Sequence, residues 1–166
     1  MARQKDSNFA FSTPYIMLVD DNHMELELNS LTLEEVDPRI KTQFFSSAGE
    51  VLEYLRKESP LDHKPAFMLL DLKMPVMDGL ELLDVLQKEQ LKTFPIIVLS
   101  SSVLNEDQIR AKQLGADDYR TKPISYPGNF ELFKSLLDKF LPATQLRHNI
   151  SLPNYSTNKV PKAMGN

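Results

Sequence analysis

Three acidic residues in this sequence directly follow short apolar runs. Asp20 and Asp21 come after Tyr-Ile-Met-Leu-Val, and Asp71 comes after Phe-Met-Leu-Leu. If these runs are parallel strands, their carboxyl ends share one edge of a sheet and the three carboxylates converge there. Carboxylates that close together repel, and they are costly to bury without partners. The cluster therefore predicts a hard divalent cation such as Mg²⁺.

Two further side chains stand at the ends of apolar runs. Ser100 ends Ile-Ile-Val-Leu-Ser, and Lys122 lies in Asp-Tyr-Arg-Thr-Lys-Pro. A hydroxyl, an ammonium and a metal ion together suit phosphoryl transfer, because the charge on three equatorial phosphoryl oxygens must be stabilised. In this interpretation Asp71 is the nucleophile.

Each of these residues has a simpler explanation when it is taken alone. Asp20 with Asp21 is typical of a helix N-cap, Lys122 of a solvated surface lysine, and Ser100 of a turn. An acidic residue such as Asp71 at the end of so apolar a strand is harder to explain in that way. The register of all five at four strand ends favours one shared site.

The elements that would position these residues alternate along the chain. Five short apolar runs predict strands, and the segments between them carry apolar residues at helical spacing. The strands are placed at 15–19, 39–44, 66–70, 95–99 and 116–120. The apolar stripe of the first helix is assigned to Met24, Leu28, Leu31 and Val36. Strict alternation predicts an α/β protein with a parallel sheet and helices on both faces.

Composition limits the classes of function that remain. The 166 residues suffice for one domain, and 42% hydrophobic with 25% charged residues is typical of a globular protein. A net charge of -4 argues against a surface built for nucleic acid. The lack of cysteine excludes disulfides and thiol chemistry. Because the sequence shows neither a signal peptide nor an apolar run long enough for a bilayer, we expect a cytoplasmic protein.

The two ends differ in composition from the centre. Residues 1–13 are polar, and residues 142–166 are rich in proline and asparagine and carry no acidic residue. We expect both to be weakly ordered tails around one domain at 14–141. Since the C-terminal tail is too short and polar to bury a core, we expect no output domain.

Four motifs occur in order through the predicted domain. They are Leu-Val-Asp-Asp-Asn, Leu-Leu-Asp-Leu-Lys-Met-Pro-Val-Met-Asp-Gly, Pro-Ile-Ile-Val-Leu-Ser and Gly-Ala-Asp-Asp-Tyr-Arg-Thr-Lys-Pro. One motif alone would be weak evidence, but four in register are strong. With these four motifs in this order, the chain resembles the receiver domain of two-component response regulators. The resemblance implies a flavodoxin-like, three-layer α/β fold, with a five-stranded parallel sheet in the order 2-1-3-4-5 and five helices on its two faces.

The resemblance also implies roles for the acidic residues. Asp71 would be the phosphoacceptor. Asp21 and Asp71 would bind Mg²⁺ directly, and Asp20 would act through a water molecule. The backbone carbonyl of Lys73 would complete the protein's share of the metal ligands.

The remaining site residues receive roles in the same way. Lys122 would pair with the acyl phosphate, and Ser100 would be the hydroxyl that moves toward it. Tyr119 would be the aromatic that swings inward when Ser100 moves, although ordinary half-buried packing on an edge strand explains Tyr119 equally well. The resemblance further implies a cis peptide bond between Lys122 and Pro123.

The function expected from this resemblance is that of a stand-alone response regulator, a switch rather than an enzyme. Its partners would be a histidine kinase or a histidine phosphotransfer protein and a downstream protein target, with a homodimer left open and neither nucleic acid nor a membrane involved. Two alternatives stay open. One is a Mg²⁺-dependent phosphatase or phosphotransferase, against which Lys73 counts, because such enzymes often carry an acid two positions after the nucleophile. The other is an interaction module that no longer accepts phosphate.

Overall fold

The computed structural model describes residues 14–57 and 64–141 of the chain. The predicted tails, 1–13 and 142–166, lie outside these described residues. Strands and helices alternate in the following order: β1 (Tyr15–Val19), α1 (His23–Val36), β2 (Lys41–Phe45), α2 (Ala48–Lys57), β3 (Phe67–Leu70), α3 (Gly79–Lys88), β4 (Ile96–Ser100), α4 (Asn105–Gln113), β5 (Asp118–Thr121) and α5 (Tyr126–Phe140).

The five described strands form one parallel sheet in the order β2-β1-β3-β4-β5, which confirms the predicted fold. The central strands β3 and β4 are buried along their whole length, as their continuous apolar sequences predict. Pairing moves several strand ends by one or two residues from their predicted positions. In β5, for example, the strand begins at Asp118 instead of residue 116 and reaches Thr121, which lies opposite Ser100.

Two hydrophobic cores cover the two faces of the sheet. Along β1, Met17 and Val19 point into the core formed with α2, α3 and α4. Ile16 and Leu18 point the other way, into the core formed with α1 and α5. This alternation follows from the twofold period of a strand, and it decides which residues of β1 face each layer of helices.

The buried side of α1 differs from the prediction. Met24, Leu28 and Leu31 are exposed, whereas Leu26 and Leu33 are buried against β1 and α5. The helix carries apolar residues on both sides, so helical spacing alone does not identify the side that packs. That side is set by the direction in which α1 leaves β1, where the Asn22 side chain accepts a hydrogen bond from the Met24 N–H at 3.1 Å.

No helix among residues 14–57 and 64–141 combines the length and the apolar character needed to cross a bilayer. α3 begins with a capping box in which Asp78 and Glu81 exchange side-chain and backbone hydrogen bonds. Gly115, at φ 91°, follows the C-cap Leu114 of α4 as its C′ residue.

Candidate functional site

The carboxyl ends of β1 and β3 bring three acidic side chains together. Carboxylate oxygens of Asp20, Asp21 and Asp71 lie within 4.8 Å of one another. The backbone N–H of Asp20 donates to Phe45 at 3.1 Å and that of Asp71 donates to Val19 at 2.9 Å, so both residues continue the ladder of the sheet. Asp20 and Asp71 are buried and Asp21 is exposed. The predicted acidic cluster is therefore present and open on one side.

Lys122 reaches this cluster from the end of β5. Its backbone N–H donates to the Ser100 carbonyl at 2.8 Å, which places Lys122 at the carboxyl edge of the sheet. Its Nζ lies 2.8 Å from Asp20 Oδ2 and 2.9 Å from Asp71 Oδ1. A third carboxylate, Glu25 Oε2, lies 2.8 Å from the same nitrogen. The three N–H donors of the ammonium are thus matched by three carboxylates.

Glu25 is a site residue that the sequence analysis missed. It lies in the first turn of α1, three residues after the N-cap Asn22. Its position in the sequence could have indicated this role, because the first turn of a helix that directly follows a strand lies beside the carboxyl edge of the sheet. Its negative charge also stabilises the helix N-terminus, and that ordinary explanation conceals the contact with Lys122.

The buried ionic contacts shift the pKa values of both partners. Burial raises the pKa of Asp71, and the hydrogen bond and charge of Lys122 only partly offset that effect. The charge of Asp20 raises the pKa of Asp71 further. Burial lowers the pKa of Lys122, but its hydrogen bonds to Asp20, Glu25 and Asp71 outweigh burial and raise it overall. Lys122 is consequently positively charged at neutral pH. Burial destabilises the charged form of the neighbouring Asp71 carboxylate.

The second carboxylate oxygen of Asp71 is held by the loop that follows β3. The backbone N–H of Lys73 donates to Asp71 Oδ2 at 2.6 Å. The metal contact predicted for the Lys73 carbonyl stays a prediction. With Oδ1 at Lys122 and Oδ2 at Lys73, the carboxylate of Asp71 is fixed in orientation.

The same loop contains a strained turn. The Met77 N–H donates to the Pro75 carbonyl at 2.9 Å, which closes a three-residue turn around Val76. Val76 has a φ of 71° and a fully exposed side chain. A β-branched residue is strained in this left-handed region, because its Cβ approaches the backbone too closely.

We expect Val76→Asn to raise the free energy of unfolding by about 1 kcal/mol, since asparagine tolerates a left-handed backbone better than valine does. Urea denaturation measures the change. Val103→Asn is the matched control, because Val103 is also an exposed loop valine but has no positive φ. Equal stability changes in the two variants would contradict the assignment of strain to Val76.

Ser100 and Tyr119 both form hydrogen bonds with Ser102. Ser100 is fully buried, and its Oγ accepts a hydrogen bond from the Ser102 N–H at 3.1 Å. The Tyr119 hydroxyl donates to the Ser102 carbonyl at 3.0 Å. The Ser102 hydroxyl in turn donates to the Asp107 carboxylate of α4 at 2.6 Å. Ser102 therefore links the end of β4 to β5 and α4.

Ser102 was also missed by the sequence analysis, because it lies in a run of three serines that looks like an ordinary turn. The ring of Tyr119 is half-buried against the core that contains α4. Its packing role is thus present in this conformation, and its role as a moving aromatic stays a prediction. The predicted cis peptide bond before Pro123 is wrong, since no cis bond occurs among the described residues. Trans is the lower-energy isomer of an X-Pro bond unless surrounding contacts select cis.

The donor set of the acidic cluster fits Mg²⁺. It consists only of carboxylate oxygens, which are the ligands that hard divalent cations prefer. The raised pKa of Asp71 also shows that Lys122 alone does not fully compensate the buried negative charge. Asp20, Asp21 and Asp71 could hold such an ion.

Fold and site together define the class of this protein. The family model of the response regulator receiver domain matches residues 16–130. The chain belongs to that family, and it is a receiver domain of the kind found in two-component signalling.

Individual relatives agree with this class. The polar-differentiation response regulator DivK of Brucella ovis is 32% identical over 127 residues, which are 75% of this chain and 97% of the relative. DivK of Brucella anthropi is 30% identical over 124 residues, covering 74% of this chain and 94% of the relative.

Two solved structures show the same fold. The phosphorylated cyanobacterial phytochrome response regulator RcpA matches with a TM-score of 0.70 and 27% identity, covering 80% of this chain and 96% of that one. The receiver domain of Francisella response regulator 1452 matches with a TM-score of 0.61 and 27% identity, covering 76% and 98%.

Proposed function

We propose that this receiver domain accepts a phosphoryl group on Asp71 in a Mg²⁺-dependent reaction and signals through a change in its protein-binding surface. The observation that carries the proposal is the arrangement of Asp71. Its carboxylate lies in a cluster of three acids, 2.9 Å from the Lys122 ammonium and oriented by a backbone N–H. This is the environment that a carboxylate nucleophile and its acyl phosphate require.

The donor that we propose is a phosphohistidine of a histidine kinase or histidine phosphotransfer protein. A carboxylate oxygen of Asp71 attacks phosphorus, the P–N bond breaks, and the imidazole leaves with the bonding electron pair. When bound by Asp20, Asp21 and Asp71, Mg²⁺ would supply positive charge to the phosphoryl oxygens. Lys122 donates N–H groups to the same oxygens, and the Ser100 hydroxyl can donate a further hydrogen bond.

Transmission of the signal starts at Ser100 in this proposal. If the Ser100 hydroxyl turns toward a phosphoryl oxygen, it gives up its hydrogen bond with the Ser102 N–H. Ser102 also holds Tyr119 and Asp107, so a shift of the β4–α4 loop changes both β5 and α4. The phosphoryl group needs only to stabilise one of two conformations of this loop by a few kcal/mol.

The proposed partners follow from the class of protein. We propose a phosphohistidine protein as donor and a downstream protein as the receiver of the signal, with a second copy of this chain as a further partner to be tested by sedimentation before and after phosphorylation. The relatives named DivK are response regulators, which supports this proposal. We propose a cytoplasmic location and no enzymatic turnover beyond gain and loss of the protein's own phosphoryl group.

Incubation with acetyl phosphate and Mg²⁺, followed by intact mass spectrometry, tests the assigned acceptor. We expect the natural protein to gain one phosphoryl group and Asp71→Asn to gain none, because an amide is not a nucleophile here. A chelator should abolish the gain. Asp84→Asn is the matched control: its carboxylate pairs with Lys88 on α3 and takes no part in the acidic cluster. Phosphate on Asp71→Asn at the natural level would refute the acceptor.

A further inference from the structure

The contact between Lys122 and Glu25 is not explained by phosphoryl chemistry. Lys122 Nζ lies 2.8 Å from Glu25 Oε2, as close as it lies to Asp20 and slightly closer than to Asp71. The Glu25 side chain is 39% exposed, whereas those of Asp20 and Asp71 are each 7% exposed. Glu25 is thus the one carboxylate of the three that can turn into solvent and leave the ammonium.

The donors of Lys122 are limited. An ammonium has three N–H groups, and three protein carboxylates occupy them here. A phosphoryl group on Asp71 requires at least one of these donors. Asp20 is also a candidate metal ligand and Asp71 carries the phosphoryl group, so the contact that can be given up is the one with Glu25.

The negative charge of Glu25 also opposes binding of a phosphoryl group at Asp71. A phosphoryl group carries nearly two negative charges, and Glu25 is held beside it through their common partner. Like charges that share one close partner repel. Competition for Lys122 and direct repulsion therefore both oppose binding of the phosphoryl group.

We propose that Glu25 is a positioning residue that competes with the phosphoryl group for Lys122 and so lowers the affinity of the site for that group. The inference rests on the function proposed above. In the unphosphorylated protein Glu25, at 2.8 Å, holds the ammonium of Lys122 together with Asp20 and Asp71. In the phosphorylated protein it limits how firmly the phosphoryl group is held.

The probe is beryllium trifluoride anion, a phosphoryl mimic that binds to the acceptor carboxylate, titrated at saturating Mg²⁺ and followed by fluorine NMR. We expect Glu25→Gln to bind the mimic about fivefold more tightly than the natural protein, which is the upper end of what a partly exposed ion pair contributes. Glutamine keeps the size of the side chain and removes its charge. Glu27→Gln, on the same helix but paired with His23, should leave the affinity unchanged.

A double-mutant cycle separates the two physical causes. In a Lys122→Ala background, Glu25→Gln should tighten binding of the mimic by less than twofold, because there is no ammonium to compete for. A full fivefold gain in that background would show that only charge repulsion acts, and would overturn the positioning role. Unchanged or weaker binding by Glu25→Gln in the natural background would also overturn it.

The outcomes of the titration separate the role of Glu25 from the existence of the phosphoacceptor site. If the natural protein does not bind the mimic at all, the proposed phosphoacceptor site is wrong. If the natural protein and Glu25→Gln bind it equally, only the role of Glu25 is wrong. Thermal unfolding of the variant identifies a purely structural role, in which stability changes and affinity does not.

Discussion

Gly79→Ala is expected to lower the free energy of unfolding by about 3 kcal/mol, the upper range for overpacking a close-packed site. A Cβ at position 79 would lie 2.5 Å from the backbone oxygen of Asp71 and 2.9 Å from the Cα of Leu72. Both are backbone atoms and cannot rotate away. The N–H of Gly79 also donates to the Leu72 carbonyl at 3.0 Å. The start of α3 is therefore hydrogen-bonded to the same backbone segment, residues 71 and 72, that a new Cβ would displace.

The effect of this substitution should extend to the site. Because the clash lies on the backbone of Asp71, relief of the clash displaces the proposed nucleophile from Lys122. We expect phosphoryl gain from acetyl phosphate to fall at least tenfold even at temperatures where the variant is folded, since misplacement of about 1 Å can cost a hundredfold in rate.

Gly49→Ala is the control for Gly79→Ala. Gly49 lies in α2, where the nearest heavy atom to a new Cβ is Ser47 Oγ at 3.8 Å. Alanine is a better helix former than glycine, so we expect a gain of about 0.5–1 kcal/mol. Urea denaturation of both variants measures the difference. A Gly79→Ala protein as stable as the natural one would show that α3 can move away from β3 freely.

Lys122→Ala is expected to lower the free energy of unfolding by about 2–3 kcal/mol in the presence of a chelator. Removing one partner of a buried ion pair typically costs about 3–5 kcal/mol, and the value is reduced here because some water reaches the site. The Lys122 side chain is 17% exposed. The loss arises because Asp20, Asp71 and Glu25 then repel one another without a common cation.

Mg²⁺ should restore much of the free energy of unfolding that Lys122→Ala loses. A ligand that binds only the folded state stabilises it in proportion to the logarithm of its concentration over Kd. The variant site has one positive charge fewer, so it should bind Mg²⁺ more tightly than the natural site does. We expect the difference in stability between the two proteins to shrink by at least half at saturating Mg²⁺, as measured by urea denaturation with and without chelator.

Lys139→Ala is the matched control for this linkage. Lys139 pairs with Asp118 at 2.9 Å, and its side chain is half-exposed. Its removal should cost about 0.2–1 kcal/mol, as for other surface ion pairs, with no dependence on Mg²⁺. A deficit in Lys122→Ala that stays the same with and without Mg²⁺ would contradict a metal site among these carboxylates.

The sequence predicted the sheet and the acidic cluster because both depend on short-range patterns. Continuous apolar runs such as those of β3 and β4 are typical of strands buried on both faces. Once the strands are parallel, topology alone places Asp20, Asp71 and Ser100 at one edge. Capping residues such as Asp78 likewise act within a few residues of their own position.

Other features depend on how elements pack against each other in space, which no pattern of neighbouring residues encodes. Which side of α1 is buried depends on the angle at which the helix leaves β1, so Met24, Leu28 and Leu31 were assigned to the wrong side. The hydrogen bond from Tyr119 on β5 to the Ser102 carbonyl likewise joins residues 17 positions apart.

The sequence by itself determined the order of the elements and the chemical identity of the residues at the strand ends, since hydrophobic period and strand termini are properties of adjacent residues. Only the tertiary structure decided that Glu25 shares Lys122 with Asp20 and Asp71. Lys122 lies 102 positions from Asp20, 97 from Glu25 and 51 from Asp71 in the sequence. Such contacts arise from the packing of whole elements, because the hydrophobic cores, and not the ionic groups, decide where each strand end stands.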